Sequence, residues 1–385
     1  MNLDKVRDVY QNIIAVNTEE SSKLKNQIFR VGTIRLVVVL AGLFAAYYFW
    51  GSGWLVVLSL SVMAVTFAFL LKYHQRLHNQ KLYSDISIRD AKNEIDGIDY
   101  NFSAFDGGAD KINAEHSFSL DLDLFGERSF FQSVNRTVTP FGKDALADRF
   151  IKPTKDKENI LSTQQAIQEL TTKIEQSFRF RTLGNMSENV RPDFGQWKEL
   201  FAKPSRYYGN LFWSTMLYLV PASYVVLGVL CAFGVAETSL YLPLWIGLLV
   251  FSSLPLKNTI KIAEVLDTKG KVLNAYSGLF AEIENGNFQS DLLQKIQQDL
   301  KASNASKSTQ MLQSYIENMS QSVTFPVMFF FNPVLLWNVR YAYKIEQWIK
   351  QHKDDVEAWF DAVGEFDSLV SLALFAYNHP DYTYP

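Results

Sequence analysis

The sequence predicts an all-α protein, with two transmembrane helical hairpins joined to a cytosolic helical core that carries long lever helices. Three observations predict it. Four long apolar runs come in two pairs, and basic residues flank the open ends of each pair. The polar parts show apolar residues at helical spacing, with helix-start and helix-stop residues at their ends. Hydrophobic residues make up 48% of the 385, and they are concentrated in those runs rather than spread evenly.

Residues 1–32 carry apolar positions at Val6, Val9, Tyr10, Ile13 and Ile14. This amphipathic helical stripe suits a partner chain, the membrane surface or the protein's own cytosolic domain. Residues 33–72 form the first hairpin, from the runs Ile34 to Trp50 and Trp54 to Leu71. Each has roughly the 17–20 residues that cross about 30 Å of hydrocarbon at about 1.5 Å per residue. Gly51-Ser52-Gly53 leaves room only for a tight turn, and Tyr47, Tyr48, Trp50 and Trp54 suit the membrane–water interface at its tip. Arg30 and Arg35 precede the pair, and Lys72, His74 and Arg76 follow it, which places both open ends in the cytoplasm. The first run starts near Leu36, behind a long polar and amphipathic stretch, and this is not a secretory signal pattern.

Residues 73–114 are polar and include Asp106-Gly107-Gly108, which predicts a linker with little structure of its own. Residues 115–206 form the first half of the core. Thr139-Pro140 makes an N-cap and first-turn pair: the hydroxyl accepts from free backbone N–H groups, and proline has no donor to lose there. Gly142 lacks a Cβ and would let that helix approach a neighbour closely, while Ala145, Leu146 and Phe150 continue its apolar face. Pro153 ends it by pushing Lys152 out of helical geometry. A second helix is expected around Ile160 to Phe178, with Ile160, Ile167, Leu170 and Ile174 on its apolar face.

Residues 207–256 form the second hairpin, Leu211 to Phe233 and Leu240 to Leu256. Lys203 and Arg206 precede it and Lys257 and Lys261 follow, while the Ala236-Glu237-Thr238-Ser239 link has no Lys or Arg and is placed outside. Pro221 is tolerated in a span where nearby Ser and Thr can re-satisfy the freed carbonyl. The span interiors carry no charge, and Arg35 lies at an edge where it can snorkel, so the spans read as anchors rather than a transport pathway. The expected location is an inner (cytoplasmic) membrane, crossed four times, with both termini cytoplasmic.

Residues 257–385 form the second half of the core. Asn332-Pro333 reads as another helix start, and one long helix then runs to about Tyr377. Its seam is Ile345, Ile349, His352, Val356, Trp359, Val363, Phe366, Val370 and Ala373, spaced by fours and threes as in a lever packed on another helix. His352 on this seam reads as a hydrogen-bonded core or boundary residue. Phe325 to Val339 is nearly all apolar, but Pro326, Asn332 and Pro333 interrupt it. It reads as a buried or membrane-surface segment rather than a fifth span.

One ordered set of short motifs stands out: Asp123-Leu124-Phe125-Gly126, Ser129-Phe130-Phe131-Gln132, Asn135-Arg136-Thr137, the step from Thr139 to Gly142, Pro153, and then Gln165-Ala166-Ile167-Gln168-Glu169-Leu170. Together they resemble the start of the helical core of the MutS family of DNA mismatch-repair ATPases, and look closest to its membrane-anchored members. In that resemblance Asp123, Phe125, Gly126, Asn135, Thr137, Thr139, Gly142 and Pro153 are structural positions of the core motif. Ser371-Leu372-Ala373 with Tyr377-Asn378-His379-Pro380 resembles the family's lever just before its ATPase module. The resemblance implies a homodimer, coupling to an ATPase module that uses ATP and Mg, and mismatched-DNA binding in DNA repair. In the family a DNA-gripping clamp interrupts the core, whereas here the membrane hairpin does so. That substitution implies lever ends that enter the bilayer where other members hold DNA.

The candidate chemistry is sparse. No GxxxxGK[ST] loop occurs, so these residues are not expected to hydrolyse ATP or to hold a cofactor. The nearest approach, Thr268-Lys269-Gly270-Lys271, lacks the upstream glycine and the Ser or Thr after the lysine. Phe125-Gly126-Glu127 matches the Phe-x-Glu form of the family's mismatch wedge, but it lies in the core motif and not in a separate N-terminal domain, so it reads as packing. Asp121 and Asp123 have no third ligand for a cation, the five histidines show no metal-ligand spacing, and Cys231 is the only cysteine. Arg179 and Arg181 alternate with Phe178 and Phe180 and are the candidate phosphate contacts. Two residues apart on a helix they do not share a face, and a pair of solvated charges at a helix end is the competing reading. A net charge of −3 makes no bulk electrostatic case for nucleic acid. The alternative to a DNA-binding protein is a membrane scaffold whose core binds a protein partner.

Overall fold

The computed structural model describes residues 2–113, 115–116, 118–186, 204–325 and 327–384, by backbone alone at 262–272, 274 and 323. Lys203 of the expected basic flank lies outside the described residues, as does much of the end of the first core half. Among the described residues every regular element is helical, as the sequence predicts.

Two helices of 46 residues each open the chain, α1 (Leu3–Tyr48) and α2 (Gly53–Ile98), joined by a short turn. At about 1.5 Å per residue each is roughly 70 Å long, about twice what a bilayer core needs. The amphipathic segment and the first span are therefore one helix. Nothing breaks it: Gly32, the residue at the expected boundary, sits within the helix with open space around it. The two helices run antiparallel. Ser21 Oγ donates to Asp85 Oδ1 at 2.6 Å and Arg7 Nη1 to Asp99 Oδ2 at 3.1 Å. Gly42 lets them touch inside the apolar part, where a Cβ would fall 2.4 Å from Met63 Sδ.

The expected linker needs correction. Residues 73–98 continue α2, and Ser84, Asp90 and Glu94 on that stretch are buried. Its polarity misled because the buried face is itself polar. The irregular chain begins only at Asp99, and it too is bound to the core: Gln132 Nε2 donates to Phe105 O at 2.9 Å, and Asn135 Nδ2 to Asp106 O at 2.8 Å. Gly107 lies so close to Gly126 O that a Cβ would sit 2.0 Å from it.

The first core half holds α3 (Phe130–Val134), α4 (Pro140–Ile151), α5 (Lys157–Thr172) and α6 (Ile174–Asn185). Helix α4 starts and stops as the sequence predicts, with the Thr139 hydroxyl accepting from Gly142 N at 2.9 Å and the helix ending before Pro153. The single second helix expected over Ile160 to Phe178 is instead two, broken at Lys173. There Ser177 Oγ donates to Leu170 O at 3.0 Å, taking up a carbonyl at the end of α5.

Helix α7 (Leu211–Ala232) is the third helix long and apolar enough to cross a membrane, after α1 and α2. Its partner α8 (Tyr241–Ser253) has only 13 residues, because the chain turns at Leu254-Pro255 into α9 (Leu256–Glu284). Thr268 to Lys271 lie within α9, a helical backbone and not a phosphate-binding loop. Pro221 frees the carbonyl of Leu217, as expected, but an arginine re-satisfies it rather than Ser or Thr: Arg340 Nη2 donates to Leu217 O at 3.0 Å.

After α10 (Asp291–Ala302) and α11 (Ala305–Ser320), a π-helical turn over Val327–Phe331 leads into the short α12 (Asn332–Leu335). The expected single lever is then α13 (Trp337–His352) and α14 (Val356–Asn378). The break at 353–355 has a reason. His352 Nδ1 pairs with Asp355 Oδ2 at 3.1 Å, Trp348 Nε1 donates to Ser308 O at 2.8 Å, and Trp359 Nε1 donates to Ser303 Oγ at 2.6 Å. Two tryptophans thus anchor both sides of the break, Trp359 on the α10–α11 turn and Trp348 on the first turns of α11. The seam survives it, since Ile345, Val356, Trp359, Val363, Phe366, Val370 and Ala373 are all buried. Helix α14 is the centre of the main core, with Phe360 packed on Phe141 (centroids 5.1 Å) and Phe366 on Phe180 (5.0 Å).

Candidate functional site: a buried ionic junction

The N-terminal stripe packs on the protein's own core. Val6 and Tyr10 are fully buried against Ala91 and Ile98 of α2, Phe178 of α6 and Tyr377 of α14. Beside this cluster the core motif, α2, α6 and α14 meet at one carboxylate. Glu94 is 0% exposed and accepts Arg136 Nε at 2.9 Å and Asn378 Nδ2 at 2.7 Å. Arg181 Nη1 also donates to it. Tyr10 donates its hydroxyl to Asn378 Oδ1 at 2.8 Å, which brings α1 into the same network. The ring of Phe105 lies 3.5 Å from the Arg136 guanidinium carbon. Asp90, also buried, accepts Asn185 Nδ2 at 2.8 Å and pairs with Arg89.

Charge balance makes this arrangement tolerable. Burial alone pushes the Glu94 carboxyl up, but Arg136 and Arg181 together outweigh it and hold it below the usual carboxylate range. Glu94 and Asp90 offset the two cations, and each carboxylate is hydrogen-bonded. Burial, reinforced by the Glu94 charge, raises the Tyr10 phenol well above its ordinary value, so it stays a donor.

A second buried carboxylate locks the other end of the motif. Asp367 of α14 accepts Val138 N at 3.0 Å, Thr139 N at 2.8 Å and the Thr139 hydroxyl at 2.7 Å. It thereby caps the N-terminus of α4 from outside, where the free N–H groups favour negative charge. Burial nevertheless dominates and raises its pKa from 3.8 to about 7. The folded chain then holds a proton that the unfolded chain releases above pH 3.8, so this group's contribution to stability falls as pH rises from about 4 to about 7. In detergent, the melting temperature of the protein is expected to fall relative to that of Asp367→Asn between pH 5 and 7. Parallel curves across that range would contradict this.

The motif residues divide clearly. Asn135 is a hub, donating to Asp106 O and accepting Thr137 N at 3.0 Å and the Thr137 hydroxyl at 2.6 Å. Thr139 caps α4. Gly142 presses on Asp367, where a Cβ would lie 2.0 Å from Oδ2. Phe125 packs on Phe131 at 5.1 Å, and Gly126 takes φ 113°, a conformation that favours glycine. Asp123 is exposed on a turn at φ 46° and stands apart from the junction, as does Pro153.

The two candidate phosphate contacts separate. Arg181 is 4% exposed and turned onto Glu94, so the reading of a solvated charge is corrected for this residue, and its guanidinium faces a carboxylate rather than solvent. Arg179 is more exposed and pairs with Glu282 at 3.0 Å. Sequence reasoning missed Glu94, Arg136 and Asn378 as partners. A signal existed: Ser84, Ser87, Asp90, Ala91, Glu94 and Ile98 recur at helical spacing, a buried stripe written in mostly polar residues.

A surface groove of about 980 Å³ runs between α4, α5 and α14. Its basic residues Arg149 and Lys152 pair with Glu365 and Asp148. Among the described residues no group of three or more His, Cys, Asp or Glu could hold a metal ion. The junction holds no nucleophile–base pair; its chemistry is that of a joint. Comparison with known family profiles, curated proteins and solved structures gives no match to this chain.

Proposed function

We propose that this chain is the membrane-anchored helical core of a MutS-like protein, in which the membrane helices are mechanically joined to the core at Glu94. The observation that carries the reading is the joint itself. Arg136, Thr139 and Gly142, residues of the stretch that resembles MutS, are the ones that meet α2 and α14. Helix α2 runs unbroken from its apolar half to Glu94, so displacement of the membrane end reaches the core without a hinge. In this reading four spans hold the protein in an inner, cytoplasmic membrane with both termini on the cytoplasmic side. The core forms a homodimer and passes conformational change between the bilayer and an ATPase module using ATP and Mg.

The family function implied by the resemblance is mismatched-DNA binding. The pairing of Arg181 with Glu94 and of Arg179 with Glu282 favours a second reading, a membrane scaffold that engages a protein partner and leaves DNA alone. Fluorescence anisotropy of the detergent-solubilised chain with matched and singly mismatched duplexes, titrated with salt, separates the two. We expect no mismatch preference. A preference with affinity falling steeply in salt would establish the DNA-binding reading instead.

A further inference from the structure

We infer that residues 327–336 form a re-entrant segment inserted into the cytoplasmic leaflet of the bilayer, its exposed aromatic face packed on lipid acyl chains. The inference rests on the membrane reading of α7 and α8 proposed above. Met328, Phe330 and Phe331 are 37%, 55% and 49% exposed, an apolar face on a π-helical turn. What covers this face follows from where the segment is fastened.

Two contacts mark its depth. Phe329 packs edge-on against Trp245 of α8, ring centroids 4.5 Å apart. Trp245 precedes the end of α8 at Ser253 by eight residues, roughly 12 Å along the helix axis. Arg340 reaches the Leu217 carbonyl of α7, roughly 9 Å from the start of that helix at Leu211. Both measures run from the same, cytoplasmic, end of the hairpin. The aromatic turn therefore stands beside the spans and not below them.

The fastening is specific. Helix α8 stops early, and the Ser252 carbonyl near its end accepts Asn332 Nδ2 at 3.3 Å and Asn338 Nδ2 at 3.2 Å. Asn332 Oδ1 in turn accepts Asn338 N at 3.2 Å. Non-helical backbone at membrane depth must be satisfied or buried in protein. Here the exposed part is helical, and the left-handed break at Leu336 is completely buried. The segment thus makes up on one side what the 13-residue α8 lacks in length.

The test uses Cys231→Ser as background, with Met328→Cys and Phe330→Cys each carrying a nitroxide label. The whole chain is reconstituted in phosphatidylcholine–phosphatidylglycerol vesicles. Val226→Cys, exposed on α7, serves as the lipid reference and Met311→Cys, exposed on α11, as the aqueous one. Collision with oxygen is expected to exceed collision with a water-soluble nickel chelate several-fold at positions 328 and 330, as at 226. Labels at 328 and 330 that match 311, while 226 reports lipid, would overturn the insertion and leave the membrane reading standing. If 226 also matched 311, the membrane reading would fail and the insertion with it.

Discussion

Replacing Glu94 with alanine is expected to cost on the order of 3–5 kcal/mol of stability, the largest single effect in the helical core. The fully buried carboxylate has three cationic or amide donors. Removing it leaves Arg136 and Arg181 buried side by side, 2% and 4% exposed, with like charges facing each other. Asn378 loses its acceptor, and Tyr10 then hydrogen-bonds to an unanchored amide. Thermal unfolding in detergent would show a loss of several degrees. Hydrogen exchange would rise first in the N-terminal turns of α1 and in the 84–98 part of α2, because the junction ties both to α14. Glu94→Gln keeps the shape and should recover only part of the loss, since Asp90 alone is left to offset the two cations. Full stability in both variants would mean that the ion cluster is incidental to the packing around it.

Gly142→Ala tests the opposite end of the motif, and here the sign is the test. In an open helix this change stabilises by about 0.5–1 kcal/mol, because alanine loses less backbone entropy than glycine. At Gly142 the new methyl would lie 2.0 Å from Asp367 Oδ2 and 2.6 Å from its Cβ. Asp367 has little room to yield, being held by Val138 and Thr139 inside the core. Overpacking of this kind costs about 1–3 kcal/mol, and displacing Asp367 also breaks the external cap of α4. The expected result is a loss on the order of 3 kcal/mol. Gly278→Ala on α9 supplies the control, since nothing lies within 4 Å of its added methyl. That variant should be neutral or slightly stabilised.

These two sites show which parts of the fold were legible in the sequence. Thr139, Pro140, Gly142 and Pro153 act through local rules, such as a cap, a first-turn proline, a missing Cβ and a helix stop, and each of those readings holds in the structure. The seam of α13 and α14 was legible for the same reason, since helical spacing fixes which faces are buried. Its break at 353–355 was not. The break depends on where Ser303 and Ser308 wait for two tryptophans, 56 residues away in sequence for Trp359 and 40 for Trp348. Glu94 was hidden more deeply. Its partners lie 42, 87 and 284 positions away, and a polar helical stripe looks like solvent-exposed chain until those partners are known. The short α8 belongs to the same class: Pro255 hints at its end, but the asparagines that hold the Ser252 carbonyl come from a distant segment.

The most direct test of the account is the topology of the two hairpins. Single cysteines at Ser52, Thr238 and Met311, in the Cys231→Ser background, can be labelled with a membrane-impermeant maleimide in intact cells and in inverted membrane vesicles. Four spans with a cytoplasmic core predict that Ser52→Cys and Thr238→Cys react only from outside, and that Met311→Cys reacts only in inverted vesicles. Labelling of Ser52→Cys and Thr238→Cys from opposite faces, or of Met311→Cys from outside, would contradict it.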